Sequence, residues 1–159
     1  MPNEIRLGDE VLTVVTSTAD ELVMEADWAA GASAPPPHLH PNQDEHFEVL
    51  EGELTVVMDG GAERVLRAGD TLDVPRGTAH KMWNPSAGRT RARWEVRPAL
   101  RTESFFRDMA EIGGPKASPL AAAGVLKGYR DEFRLALPAG LEPAAVHALA
   151  AAGKVLRHR

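Results

Sequence analysis

Apolar and polar residues alternate with a period of two over much of the first hundred positions. Between positions 22 and 28, apolar residues occupy every second position, with Glu25 and Asp27 between them. Successive side chains of a strand point to opposite faces, so this pattern predicts half-buried β-strands. Further apolar or alternating segments occur at 11–16, 45–51, 53–58, 71–74 and 89–96.

Turn-forming residues separate these segments at short intervals. Asp59-Gly60-Gly61 is a strong hairpin signal, because the central residues of the preferred turn need positive φ. Pro75 and Gly77 mark a further turn. Many short strands joined by tight turns are typical of a barrel or a double-sheet jelly roll, so we predict a mainly β fold.

The pattern changes after Arg97 and Pro98, where apolar residues take helical spacing. Phe105 and Phe106 begin an apolar stripe that continues for two turns. Thr102 is the expected N-cap of this first helix, and the Gly-Gly-Pro stretch at 113–115 is its expected stop.

Two more helices are expected in the tail. Ser118, followed by proline, is a typical cap for an alanine-rich helix over 120–133, and a third helix is predicted at 143–152. Because isolated helices of this length are marginal in water, they should pack on something. We therefore expect a barrel over 1–98 and a helical extension over 99–159 that packs on the barrel or on a dimer partner.

Charge narrows the choice of partners. The chain has 159 residues, the size of one domain, and a net charge of −5. Residues 1–100 hold 9 Lys+Arg against 17 Asp+Glu, a net of −8, while residues 101–159 hold 9 against 6, a net of +3. An acidic barrel repels phosphate backbones, so we expect no nucleic-acid partner.

The chain carries no sign of a membrane partner. No apolar run approaches the roughly 18 residues that a membrane helix needs, and the first residues lack the apolar core of a secretory signal. Cysteine is absent, so a metal would depend on imidazole and carboxylate ligands. We expect a cytoplasmic protein.

Histidines and one carboxylate form the candidate chemistry. His38 and His40 would point to the same side of an extended segment, which the three preceding prolines favour. Glu45 follows after a short turn, and His80 comes from a later strand. Imidazole and carboxylate side chains brought together in this way predict a metal site of nitrogen and oxygen ligands.

Two blocks of sequence carry a family resemblance. The first runs from Gly31 through the His-x-His pair to Gly52, with one extra residue before the pair; the second is Gly69-x5-Pro75-x-Gly77-x2-His80-x3-Asn84. Together they resemble the two motifs of the cupin superfamily, in its compact single-domain bacterial form, over about residues 8–98. The resemblance implies a double-stranded β-helix barrel, a homodimer, and one metal ion held by the residues that match the family's ligands: His38, His40, Glu45 and His80.

Strand parity sorts the neighbours of these residues. Glu45, Phe47 and the next odd positions should face the metal, and His46 should face away from it. Asp44 is the rival carboxylate, but parity favours Glu45. Gln43 is expected to be a turn residue, with a contact to the metal as the alternative. The predicted wall of a ligand pocket is apolar: Trp28, Phe47, Met82 and Trp94.

Four protein ligands leave one or two positions open on a five- or six-coordinate ion, which is typical of a reactive centre. The ligand set suits Fe, Mn, Co, Ni, Cu or Zn, and occupancy should fall below about pH 6 as the imidazoles protonate. The resemblance favours a dioxygenase-like enzyme on a small oxygen-bearing, aromatic or apolar substrate, with Glu45 as a base. The alternatives are a redox-neutral isomerase or lyase and a non-catalytic module that binds a small molecule or a metal.

Overall fold

Two antiparallel sheets face each other in the computed structural model, which describes residues 3–136. The predicted helix at 143–152 lies outside these residues. The first sheet has the strand order β1-β2-β3-β10-β5-β8 and the second the order β11-β4-β9-β6-β7. The strands are β1 (Glu4–Leu7), β2 (Glu10–Ser17), β3 (Leu22–Trp28), β4 (His38–Leu39), β5 (Asp44–Glu51), β6 (Glu53–Met58), β7 (Arg64–Arg67), β8 (Thr71–Val74), β9 (His80–Trp83), β10 (Thr90–Arg97) and β11 (Arg134–Leu135).

The mainly β fold is confirmed, and the period-two pattern places the core as predicted. On β10, Ala92, Trp94 and Val96 are buried while the residues between them are more exposed. Strand β10 pairs with both β3 and β5, which sets Trp94 opposite Met24 on one side and opposite Phe47 on the other. Side chains of the two inner faces therefore fill the space between the sheets.

Tight turns occur where glycine was expected to permit them. Asp59 and Gly60 both have positive φ, at 49° and 67°, as the β6–β7 hairpin requires. Gly52, with φ of 77°, lies against the backbone of Arg89, and a Cβ there would collide with the Arg89 carbonyl oxygen. The glycine that closes the first motif is therefore required by chain packing.

Helix α1 (Thr102–Glu111) packs Phe105 and Phe106 into the barrel core. The predicted N-cap is wrong by one residue, because Arg101 occupies that position and Thr102 is the first helical residue. The Thr102 hydroxyl is buried and accepts a hydrogen bond from Gln43 Nε2 at 2.7 Å, so it serves a tertiary contact.

Helix α2 (Pro119–Gly128) begins as predicted, with the Ser118 side chain accepting from the Ala121 N–H at 3.2 Å. It ends earlier than predicted, since the chain turns after Gly128 and adds β11 to the edge of β4. The division into units 1–98 and 99–159 stays a prediction. Among residues 3–136, no helix has the length and apolar content needed to cross a bilayer.

Candidate metal centre

Three histidines converge inside the barrel. Strand pairing sets His38 of β4 directly opposite His80 of β9, and His40 follows β4 after one residue. One ring nitrogen from each histidine lies within 4.8 Å of those from the other two. His40 and His80 are buried, and His38 is half-buried.

Backbone carbonyls orient the three rings. In each histidine Nδ1 contacts a carbonyl oxygen, which favours a proton on Nδ1 and leaves the Nε2 lone pair for a cation. The contacts are His38 to Pro36 at 3.3 Å, His40 to Glu132 at 2.7 Å and His80 to Thr78 at 2.9 Å. The rings are thus held in the orientation that metal binding needs.

Glu45 lies beside two of the three imidazoles. Its Oε1 is 3.2 Å from His40 Nε2, and its Oε2 is 3.0 Å from His80 Nε2. The indole Nε1 of Trp94 donates a hydrogen bond of 3.0 Å to Oε1. The carboxylate is fully enclosed in the barrel, so its position depends on these contacts.

The site is electrostatically coupled. Burial alone would raise the pKa of Glu45, but the surrounding imidazoles outweigh burial and hold that pKa below its usual value. Burial opposes protonation of His80, yet its contact with Glu45 raises the pKa of His80. Burial lowers the pKa of His38 to about 3, and the neighbouring histidines act in the same direction. The His38 imidazole is therefore neutral at physiological pH, the state in which it could bind a metal.

The donor set fits a divalent cation. His40 Nε2 and Glu45 Oε2 are both buried and make no hydrogen bond of good geometry within residues 3–136, although Oε2 lies 3.0 Å from His80 Nε2. Buried polar atoms without partners are costly, and an ion between them would satisfy both. Imidazole nitrogens with a carboxylate oxygen suit Fe, Mn, Co, Ni, Cu or Zn.

A cavity of about 530 Å³ opens beside the histidines. Its wall includes all four residues of the predicted pocket: Trp28, Phe47, Met82 and Trp94. The tail adds Phe105, Phe106 and Phe133. The ring planes of Phe47 and Trp94 stack with centroids 5.1 Å apart, so much of the wall is flat and aromatic.

The rival residues point elsewhere. Asp44 is exposed and paired with Arg76, whose hydrogen bonds hold the pKa of Asp44 below its usual value. His46 Nδ1 lies 2.6 Å from Asp73 on the outer face. Gln43 is fully buried, and its amide donates to two backbone carbonyls and to Thr102 at the start of α1.

The segment after α2 completes the site. Its contribution was not predicted from the sequence. The Phe133 ring stacks on His38 with centroids 4.7 Å apart and planes 19° apart, and the Glu132 carbonyl accepts from His40. These contacts join positions more than ninety residues apart. No local pattern signals them, because the run up to Phe133 has helical composition.

Comparison with known families places the site within a recognised domain. Residues 24–94 match the family model for the cupin domain. A cupin described as RmlC-like from Shewanella frigidimarina superposes with a TM-score of 0.55 at 22% identity, over 63% of this chain and 86% of that one. A protein with a double-stranded beta-helix domain from Klebsiella pneumoniae gives 0.52 at 25% identity, over 58% of this chain and 80% of that one.

Similar curated proteins are named as oxidoreductases. "Oxidoreductase iacF" of Pestalotiopsis fici is 44% identical over 59 residues, which is 36% of this chain and 29% of that protein. "Oxalate oxidase 1" of Hordeum vulgare is 37% identical over 84 residues, or 48% of this chain and 40% of that protein. The similarity thus spans less than half of these relatives.

Proposed function

Because the chain belongs to the cupin superfamily, we propose that it is a mononuclear metal-dependent enzyme acting on a small oxygen-bearing molecule, with dioxygenase-type chemistry. The observation that supports this most is the group His38, His40 and His80 beside Glu45, at the inner end of an apolar cavity. The oxidoreductase names of the relatives favour redox chemistry.

The metal ligands, the aromatic wall and Glu45 would each have a separate role. His38, His40, Glu45 and His80 would hold the ion, and when bound it would supply Lewis-acid and redox chemistry. The aromatic wall would orient the substrate and exclude water. Glu45 could leave the ion to accept a substrate proton, while the indole of Trp94 holds Oε1.

The composition of the cavity wall argues against one class of substrate. Among residues 3–136, no lysine or arginine lines the cavity, which disfavours a phosphosugar because phosphate recognition generally uses cationic side chains. A redox-neutral isomerase or lyase and a non-catalytic binding module are the other outcomes of the test. The expected homodimer and cytoplasmic location stay predictions.

The deciding experiment combines metal analysis with substitution. We expect the purified protein to contain close to one first-row transition metal per chain by mass spectrometry. His80→Ala should lose most of this metal, because the ion loses one ligand and Glu45 loses its contact with His80. His46→Ala is the matched control, since His46 is an imidazole on the outer face of the same barrel. Equal metal content in His80→Ala and the parent would refute the metal centre.

Oxygen uptake then tests the chemistry. The protein is loaded separately with Fe, Mn, Ni or Zn and mixed with catechols or other vicinal diols. Uptake of O2 that requires both the substrate and a redox-active metal supports the dioxygenase. Turnover without O2 favours the redox-neutral enzyme, and binding without turnover favours the module.

A further inference from the structure

Glu10 is a carboxylate in the cavity wall that the metal chemistry does not use. It is the first residue of β2 and has the same parity as the fully buried Leu12, so its side chain points into the barrel. Strand pairing places it opposite Trp28 of β3, and both side chains line the cavity beside the histidines.

The Glu10 carboxylate has no partner in the part of the chain that the structure describes. Within residues 3–136 it makes no hydrogen bond and no ion pair, whereas Glu4, Glu21, Glu25 and Glu53 each pair with an arginine. Glu10 is half-buried in the cavity wall, and burial raises the pKa of Glu10 to about 7. Enclosing an unpaired carboxyl group disfavours folding, so its presence here calls for a partner other than residues 3–136.

The charges around Glu10 restrict what that partner can be. Among the described residues that line the cavity, Glu10 is the only carboxylate, the histidines are the only other titratable groups, and no cationic side chain is present. The remaining wall is largely aromatic and aliphatic. A small dianion would lose its hydration here and meet no positive charge except an ion at the histidines.

We propose that Glu10 recognises a hydroxyl or amine group, and hence that the cavity takes an apolar molecule of aromatic size with a hydrogen-bond donor at the end facing Glu10. This deepens the proposed function, on which it rests, by naming the substrate class. The cavity volume of about 530 Å³ is within the range of small-molecule sites. The aromatic wall would cover the body of the ligand and leave its oxygen-bearing end to the histidines.

Matched probes on one scaffold test this proposal. Binding of 2-phenylethylamine, 2-phenylethanol and phenylacetate is measured by calorimetry on the zinc-loaded full-length protein at about pH 8, above the Glu10 pKa. The proteins compared are the parent, Glu10→Gln and the exposed control Glu4→Gln. The readout is the ratio of dissociation constants between variant and parent for each probe, which cancels any common contribution of the metal.

We expect Glu10→Gln to weaken the amine about tenfold and the alcohol about threefold, and to strengthen phenylacetate about threefold, because the variant removes a charged acceptor. Glu4→Gln should leave all three constants unchanged. Amine affinity that is absent in the parent, or unaltered in Glu10→Gln, would overturn the proposal. Zinc content of the same samples is a separate readout: a protein that holds no zinc but keeps the amine preference would refute the metal centre and support the role of Glu10.

Discussion

Glu45 and Glu10 are two inward-facing carboxylates whose surroundings move their pKa values in opposite directions. Imidazoles around Glu45 hold its pKa below the ordinary value, while burial without a partner raises the pKa of Glu10 to about 7. Near neutral pH, Glu45 is therefore an anion that can bind a cation, and Glu10 populates both protonation states. Separation of two pKa values by environment is the usual way in which one site obtains both an acid and a base.

The raised pKa of Glu10 predicts a pH-dependent effect on stability. An unfolded chain ionises this residue near its ordinary pKa of about 4.3, well below the folded value. Between these two values the unfolded state binds fewer protons, so folding stability from this residue falls as pH rises from about 4.5 to 7 and is then constant. Glu10→Gln cannot ionise and therefore lacks this loss of stability. Its free energy of unfolding relative to the parent should rise over that pH interval. The rise should be about 2 kcal/mol or less, because Glu10 is only half-buried.

Urea unfolding of metal-free protein at several pH values measures this difference. The histidines titrate in the parent and the variant alike, so their contribution cancels. Glu4→Gln removes a carboxylate at an exposed position and is the control for the loss of one negative charge. A flat difference for Glu10→Gln would mean that Glu10 titrates like a solvated carboxyl group.

Among the structural elements, the segment from Tyr129 to Ala136 supports β4, which carries the candidate metal ligand His38. Its strand β11 pairs with β4, and its Glu132 carbonyl orients His40. The Glu132 side chain is buried and bonds the exposed Arg101 at 2.9 and 3.1 Å. The ion pair therefore holds the Glu132 backbone in place, and the Glu132 carbonyl in turn orients the His40 ring.

Arg101→Gln should consequently affect both folding and metal binding. The substitution leaves a buried carboxylate without its charged partner, and we expect a loss of about 1–3 kcal/mol in the free energy of unfolding. Metal affinity, measured by competition with a chelator, should fall about tenfold, because the Glu132 carbonyl that orients His40 is no longer held in place. Arg6→Gln, which breaks the exposed pair with Glu4, should change stability by less than about 0.5 kcal/mol. Reduced stability with intact metal affinity would limit Arg101 to a structural role.

The same elements show how far sequence reasoning reaches. Period-two alternation placed Phe47 and Trp94 on the inner face because strand parity is a local property. It did not find Phe133, whose position depends on where α2 ends and on a pairing with β4. Glu10 was missed for another reason: the predicted segment at 11–16 begins one residue after it, whereas β2 begins at Glu10. Thr102 was misassigned as a cap because its hydroxyl serves Gln43 instead.

At the scale of the whole molecule, the candidate centre joins segments that are distant in the chain. His38 lies on β4 and His40 directly follows that strand, while His80 lies on β9 and Glu45 on β5, so the donor set draws on both sheets. An ion bound there would cross-link the sheets, and the unfolded chain does not hold these donors together. Binding to the folded state alone raises stability in proportion to the logarithm of ligand excess.

Metal excess should therefore raise the thermal midpoint of the whole protein. At a free metal concentration of about 100 times Kd the gain is roughly 2.7 kcal/mol, which corresponds to about 5–10 °C for a chain of this length. Differential scanning calorimetry with and without Zn²⁺ measures the shift. His46→Ala should keep it and His80→Ala should lose most of it, since only His80 belongs to the donor set. An equal shift in both variants would mean that the stabilising ion binds at another site. The two sheets would then be held together by side-chain packing, without a metal ion between them.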